Sequence, residues 1–315
     1  MNKIVHFIVH SKVAAYTAAL LCIVVWAFYA VERGNGINVC GSLGMSLCVL
    51  MGYLSVRVGR EHSFTGMKDM LPATLFFMSV AMAPQMIPGG VEDVHLILFP
   101  LACYLLLRTY RNRMAMGNYF LAFALIGVEC LLSAPLLLVL PWLVLCGIFM
   151  ESLHGRTLFA ALWGLLFPYW VIGSVLFLTD KTFLAVSYFE HILPSTPATY
   201  SLGDTDLWIS PPGLQLLWAL LLALPGCVMI LFDRTMKLQV SAGFRLLIVS
   251  LLVLLVAIAV FPAYYSALFP CVLSYASLIG AVFFLKNRGR AKNIYLVLLL
   301  ILWLFSLNLT YGVIF

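Results

Sequence analysis

The sequence predicts an all-α protein: a polytopic transmembrane helical bundle of about eleven spans, N-terminus cytoplasmic and C-terminus outside. Three observations predict it. Of the 315 residues, 64% are hydrophobic and only 10% are charged, where a soluble domain carries about 25% charged residues. Apolar runs of about 18 residues or more recur from end to end, the length a helix needs to cross a ~30 Å hydrocarbon core at ~1.5 Å per residue. The lysines and arginines, finally, gather in alternate turns between these runs, as cytoplasmic loops require. A β-barrel is excluded because no run alternates apolar with polar residues.

The expected spans follow in order. The first, 13–31, comes after Lys3 and Lys12. Its core is too long for a cleavable signal and lacks a small-residue cleavage site, so it is expected to remain as an anchor. The second, 38–56, carries Gly36, Cys40, Gly44, Cys48 and Gly52, one small residue every four. Such a stripe lets another helix approach closely, either within the bundle or across a contact with other membrane proteins or a second copy of this chain. The third and fourth, 70–88 and 94–110, are joined by "PGGVED". The stretch 117–152 is too long for one span and is divided at Pro135, which disfavours helix for the residue before it, giving 117–134 and 136–152. The seventh, 157–179, leads into the one long connection, 180–212, and the eighth is 213–232. Pro262 divides the ninth and tenth, 244–262 and 266–285, and 294–314 is the last. All belong to a single integral membrane domain, 1–315.

With the N-terminus inside, sixteen of the eighteen basic residues lie on cytoplasmic positions, and only Arg33 and Lys181 lie outside. The net charge of +6 is explained by this distribution, and no nucleic-acid partner is implied. The partner the chain requires is the lipid bilayer. Eight cysteines lie in or beside apolar runs without a C-x-x-C pair, so they read as packing residues rather than a zinc or redox site. No phosphate-binding loop, dinucleotide fingerprint or H-E-x-x-H occurs. Neither a cofactor nor a metal is therefore expected.

Acidic residues lean to the outer side, and Glu129 alone falls within a span. It lies about five residues before the "SAP" turn, roughly 7–8 Å below the helix end. A charge at the bilayer centre costs about 2.5–3.5 kcal/mol and less toward the edge, so this depth is tolerable. Glu129 is either held within the bundle or set in an outward-facing cavity. Outer-side candidates accompany it. Asp204 and Asp206 form a D-x-D, which suits a divalent ion with bound phosphate and equally suits a solvated turn. Glu92, Asp93 and His95 form a second patch in "EDVH". Pro100, Pro141, Pro168, Pro225 and Pro270 lie well inside spans, where each frees a carbonyl, for packing kinks or for a broken-helix binding site.

The region from about Met70 to Asp180 contains "MLPATLFFMSVAMAP", "LLLRTYR", "NYFLAFALIGVECLLSAPLLLVLPWLVL" and "GLLFPYWVIGSVLFLTD". These segments resemble a family of multi-pass inner-membrane proteins of Bacteroidota that has no established activity. The resemblance covers about a third of the chain and implies a bacterial inner-membrane location. The same region is more loosely similar to polytopic glycosyltransferases using lipid-linked sugars, which place catalytic carboxylates outside. Their first outer loop is long and carries a catalytic acid, whereas here it is "ERGNG" with Glu32. Three functions stay open: a non-enzymatic envelope component, an outer-face transferase using lipid-linked sugars, and a transporter or flippase.

Overall fold

The computed structural model of the chain describes residues 11–32, 39–61, 70–82, 84, 95–132, 140–181, 183, 211–233, 236–260, 265–287 and 290–311. These residues form eleven α-helices and no strand: α1 (Lys12–Glu32), α2 (Val39–Glu61), α3 (Leu71–Ala81), α4 (His95–Leu107), α5 (Met116–Leu132), α6 (Leu140–Phe149), α7 (Gly155–Leu178), α8 (Pro211–Phe232), α9 (Leu238–Val260), α10 (Tyr265–Lys286) and α11 (Arg290–Tyr311). Each overlaps one expected segment. Helix is the form these runs must take, because lipid offers a backbone N–H or C=O no partner and a helix satisfies both internally. Six of them, α1, α2, α7, α8, α9 and α10, are long and apolar enough to cross a membrane. The breaks expected at Pro135 and Pro262 lie outside the described residues.

The chain forms two compact units. Unit 1 comprises Met1–Asp93, Tyr200–Phe244 and Phe269–Phe315, and unit 2 comprises Val94–Thr199 and Arg245–Leu268.

In unit 1, α10 is the centre, with every residue from Phe269 to Val282 buried. Its contact with α8 is backbone to backbone. A Cβ on Gly226 of α8 would stand 2.1 Å from the Ile279 carbonyl oxygen, and one on Gly280 of α10 would stand 2.6 Å from that of Leu222. Only glycine fits at either point. Pro225 next door has no N–H to give the Leu221 carbonyl four residues back. The Tyr295 hydroxyl of α11 donates to that carbonyl instead. This proline is a packing device.

Elsewhere in unit 1, α3 packs against α1 and α2. The small-residue stripe of α2 supplies part of this contact. Gly44 and Cys48 are buried, and a Cβ on Gly52 would meet the Phe77 ring at 2.4 Å. Gly36 and the Cys40 side chain lie outside the described residues.

In unit 2, α5 and α7 cross in the same manner. A Cβ on Gly164 would stand 2.3 Å from the Phe120 carbonyl oxygen, and one on Gly127 would stand 2.6 Å from that of Leu165 and 3.1 Å from the Pro168 ring. The buried residues of α7 are Thr157, Ala161, Gly164 and Pro168, a single stripe. Its remaining surface, with Phe159, Trp163, Phe167, Trp170 and Phe177, is exposed and apolar.

Candidate functional site

Glu129 is the one expected site residue whose side chain is described. Its position on α5 follows from the helix period: Tyr119, Ala122, Phe123, Ile126, Gly127, Glu129 and Cys130 form the buried side of that helix. The carboxyl group is 0% exposed and so faces protein rather than lipid. Two residues before it, Gly127 holds α5 against Leu165 and Pro168 of α7, so Glu129 sits just beyond a close contact of these two helices. Glu92, Asp93, Asp204 and Asp206 lie outside the described residues, as does the His95 side chain at the start of α4. Among the described residues, no three His, Cys, Asp or Glu side chains come together as metal ligands. Cys22, Cys48, Cys103, Cys130, Cys146 and Cys271 are buried and Cys227 is half-buried, none of the seven in a disulfide, as packing residues should be.

Two polar clusters that sequence reasoning did not single out each brace the helices of one unit. The first surrounds the end of α3. This helix has 11 residues, about 16 Å at 1.5 Å per residue, too short for a ~30 Å hydrocarbon core. Its last carbonyls lack intrahelical donors. The Met82 N–H turns back to the Ser79 carbonyl at 3.2 Å, tightening the final turn. The indole N–H of Trp303 on α11 donates to the Met78 carbonyl at 2.8 Å, and the Gln215 amide of α8 donates to the Met82 carbonyl at 3.4 Å. The Trp218 indole donates to the Ser79 hydroxyl at 2.8 Å, and that hydroxyl donates to the Leu75 carbonyl at 2.7 Å. Ser79, Gln215 and Trp218 are buried. The negative end of the α3 dipole is thus answered by neutral donors. Below it lies an apolar recess of about 10 Å³ lined by Leu75, Met78, Trp218, Phe284, Leu296 and Leu299, with room for about one water.

The second cluster joins two turns of unit 2. Helix α6 ends with Glu151 at φ 53°, the left-handed conformation that closes a Schellman motif. The Glu151 N–H donates to the Ile148 carbonyl at 3.0 Å and the Ser152 N–H to that of Gly147 at 3.3 Å. Arg111, after α4, is also left-handed, at φ 54°. Its N–H donates to the Met150 carbonyl at 3.0 Å, and its guanidinium pairs with Glu151 at 2.7 Å. The Glu151 carboxylate holds that guanidinium above its ordinary pKa. Beneath the pair, the Ser152 hydroxyl lies 2.7 Å from that of Tyr119 and 3.2 Å from that of Thr109, all three buried. The signals for both clusters were present but neutral: Gln215 within "PPGLQLLW", and Thr109 and Ser152 flanking basic and acidic turns.

Comparison with protein-family models, with curated proteins and with solved structures finds no match.

Proposed function

We propose that the chain is a multi-pass protein of the bacterial inner membrane, with eleven spans, its N-terminus cytoplasmic and its C-terminus outside, acting as a non-enzymatic component of an envelope assembly. The observation that carries this reading is where the polar groups of the helices go. Trp303, Gln215, Trp218 and Tyr295 all donate to other helices of the same unit, and a recess beside Trp218 is apolar and admits about one water. Groups committed to holding helices together are not free for a substrate. The sixteen-to-two distribution of basic residues supports the orientation, and cysteine labelling that puts both termini on one side would reject it.

A second reading, a transporter or outer-face transferase, is favoured by the burial of the Glu129 carboxyl, since an enclosed acid within a span is a functional candidate. A pair of substitutions separates the two. Glu129→Gln keeps the size and most hydrogen-bonding capacity of the side chain, and Glu129→Leu keeps neither. For a structural role, Gln is expected to match wild type in membrane abundance and in complementation of a deletion strain, with Leu altering abundance alone. Normal abundance of the Gln variant with lost complementation would overturn the non-enzymatic reading.

A further inference from the structure

In unit 2, hydrogen bonds fasten two basic turns into one surface. The turn after α4 carries Arg108, Arg111 and Arg113, and the turn after α6 leads to Arg156 in the first turn of α7. Arg111 meets the second turn twice, with its N–H at the Met150 carbonyl and its guanidinium at Glu151. Behind them the Ser152 hydroxyl lies 3.2 Å from that of Thr109, and the Thr157 hydroxyl donates to the Ser152 carbonyl at 3.1 Å. Arg108 adjoins the first of these threonines and Arg156 the second, so the arginines of both turns stand at one end of the unit. All four are exposed. Among the described residues of unit 2, the acids are Glu129, buried within α5, Glu151, taken by Arg111, and Asp180, beyond the other end of α7. The Arg108 guanidinium lies over the Tyr104 ring, 5.6 Å from its centroid. Among the described residues, Arg113 and Arg156 take part in no ion pair and no ring contact.

An apolar stripe begins one turn after Arg156. Phe159, Trp163, Phe167 and Trp170 follow it at steps of three, four, four and three, so all five residues share one face of α7. The four aromatic side chains are between 44% and 68% exposed, and the buried seam of Thr157, Ala161, Gly164 and Pro168 lies on another side of the helix. A helical side chain leans toward the N-terminus of its helix, so the Arg156 guanidinium stands beyond the stripe rather than over it. Trp163 follows it by ~10 Å and Phe167 by ~16 Å along the axis, at ~1.5 Å per residue. The Phe167 ring meets that of Phe120 on α5 edge-on, with centroids 5.7 Å apart, and Phe120 is half-buried. The stripe is therefore walled along one edge by α5. A cation above a walled and exposed apolar stripe matches a molecule with an anionic head and an acyl tail.

We propose that this end of unit 2 binds an acidic phospholipid of the bilayer, with Arg156 taking the phosphate and an acyl chain lying along Phe159, Trp163 and Phe167. Arg113, on the joined turn, adds to the attraction. A planar guanidinium suits a phosphate, which it can meet with two parallel N–H donors. Each basic residue near a membrane surface strengthens the attraction of acidic lipid several-fold. Arg111 stays with Glu151 and fixes the two turns to each other. The site requires the chain to lie in a bilayer and does not rest on the activity proposed above.

The test uses the purified full chain in neutral detergent, titrated with dioleoylphosphatidylglycerol or dioleoylphosphatidylcholine, with the first lipid bound followed by native mass spectrometry. Wild type is expected to prefer phosphatidylglycerol. Arg156→Gln is expected to lower that preference about fivefold, and Arg113→Gln/Arg156→Gln on the order of thirtyfold, with phosphatidylcholine binding unchanged. The unchanged phosphatidylcholine binding also reports that the variants are folded. Phe159→Ala/Trp163→Ala should weaken both lipids alike and keep the preference, because it shortens only the apolar stripe. Equal binding of the two lipids by wild type, or a wild-type preference in Arg156→Gln, would overturn the proposal. So would an equal loss in Lys181→Gln, past the other end of α7, because diffuse charge would then suffice. Unchanged binding of both lipids by Phe159→Ala/Trp163→Ala would remove the acyl half of the site and overturn it as well. Full displacement of the lipid by millimolar inorganic phosphate would make this a site for the free anion, and dimers without a lipid preference would give the face to a second copy of the chain; either result overturns it.

Discussion

Helices α7 and α10 are held by one device, a glycine set against a neighbouring backbone, in opposite surroundings. In α7 the buried residues Thr157, Ala161, Gly164 and Pro168 form one narrow seam, and the rest of the helix is half-buried or exposed. In α10 every residue from Phe269 to Val282 is buried, so Gly280 is one contact among many. Lipid tails are as apolar as leucine, so helices associate there through closeness of packing rather than through escape from water. A single seam of small residues therefore carries the attachment of α7, whereas α10 is fixed on all sides. The two differ in what a clash can do. A helix held along one edge can slide outward into lipid, and a helix enclosed by others cannot.

That difference orders the expected effects of adding a methyl group. Gly226→Ala is the most damaging, because its Cβ would stand 2.1 Å from the Ile279 carbonyl oxygen of the enclosed α10. A loss at the upper end of the ~1–3 kcal/mol range for overpacking is expected, read as a lower unfolding temperature in detergent. Gly164→Ala meets the Phe120 carbonyl oxygen at 2.3 Å, but α7 has room to move away. Alanine also recovers up to ~1 kcal/mol of helix propensity, so a net loss nearer ~1 kcal/mol is expected. A Gly164→Ala protein less stable than Gly226→Ala would break the comparison. Gly173 of α7 has nothing within 4 Å of a Cβ, and Gly173→Ala serves as the control with no loss.

Gly52→Ala comes next. Its clash, at 2.4 Å, is with the tip of the Phe77 ring rather than with backbone. A ring turns where a carbonyl does not, so the expected loss falls below that of Gly164→Ala. Thermal unfolding of the two variants side by side checks the order, and a larger loss at Gly52 would mean that Phe77 is locked.

What the sequence revealed follows the strength of each physical demand. The eleven helical segments were legible because crossing hydrocarbon requires a minimum apolar length and punishes charge, and both leave marks in composition. The burial of Glu129 was legible for the same reason: lipid gives a carboxyl group no partner. The end of α3 was not read. Its apolar run continues through "FFMSVAMAP", while the helix stops at Ala81, ahead of Pro84. The proline was the available sign, since it disfavours helix in the residue before it. The seam of α7 is also visible, as Thr157, Ala161, Gly164 and Pro168 at helical spacing, but it is less regular than the every-fourth-residue repeat in α2. The ties from Gln215, Trp218 and Trp303 to α3 could not be read at all. They join residues more than 130 positions apart, and neutral donors carry no distribution rule comparable to that of lysine and arginine.

The comparison sharpens at the prolines. Pro168 of α7 contributes its ring, which lies against the seam at Gly127, whereas Pro225 of α8 contributes an absence, the donor missing from the Leu221 carbonyl. In the dense unit that absence is repaired from outside the helix, by the Tyr295 hydroxyl. Tyr295→Phe removes the donor and leaves a part-buried carbonyl without it, at an expected cost of about 1 kcal/mol. The ring itself stays, and with it the packing on Phe283 and Phe284, whose centroids lie 5.4 and 6.2 Å away. Pro225→Ala restores a backbone N–H at the position from which a regular helix serves Leu221, so the tyrosine then becomes redundant. The double variant Pro225→Ala/Tyr295→Phe should therefore be more stable than the sum of the single changes predicts, by about 0.5–1 kcal/mol. Simple additivity would mean that Pro225→Ala leaves the carbonyl exposed, as a helix kinked by its neighbours rather than by the proline would.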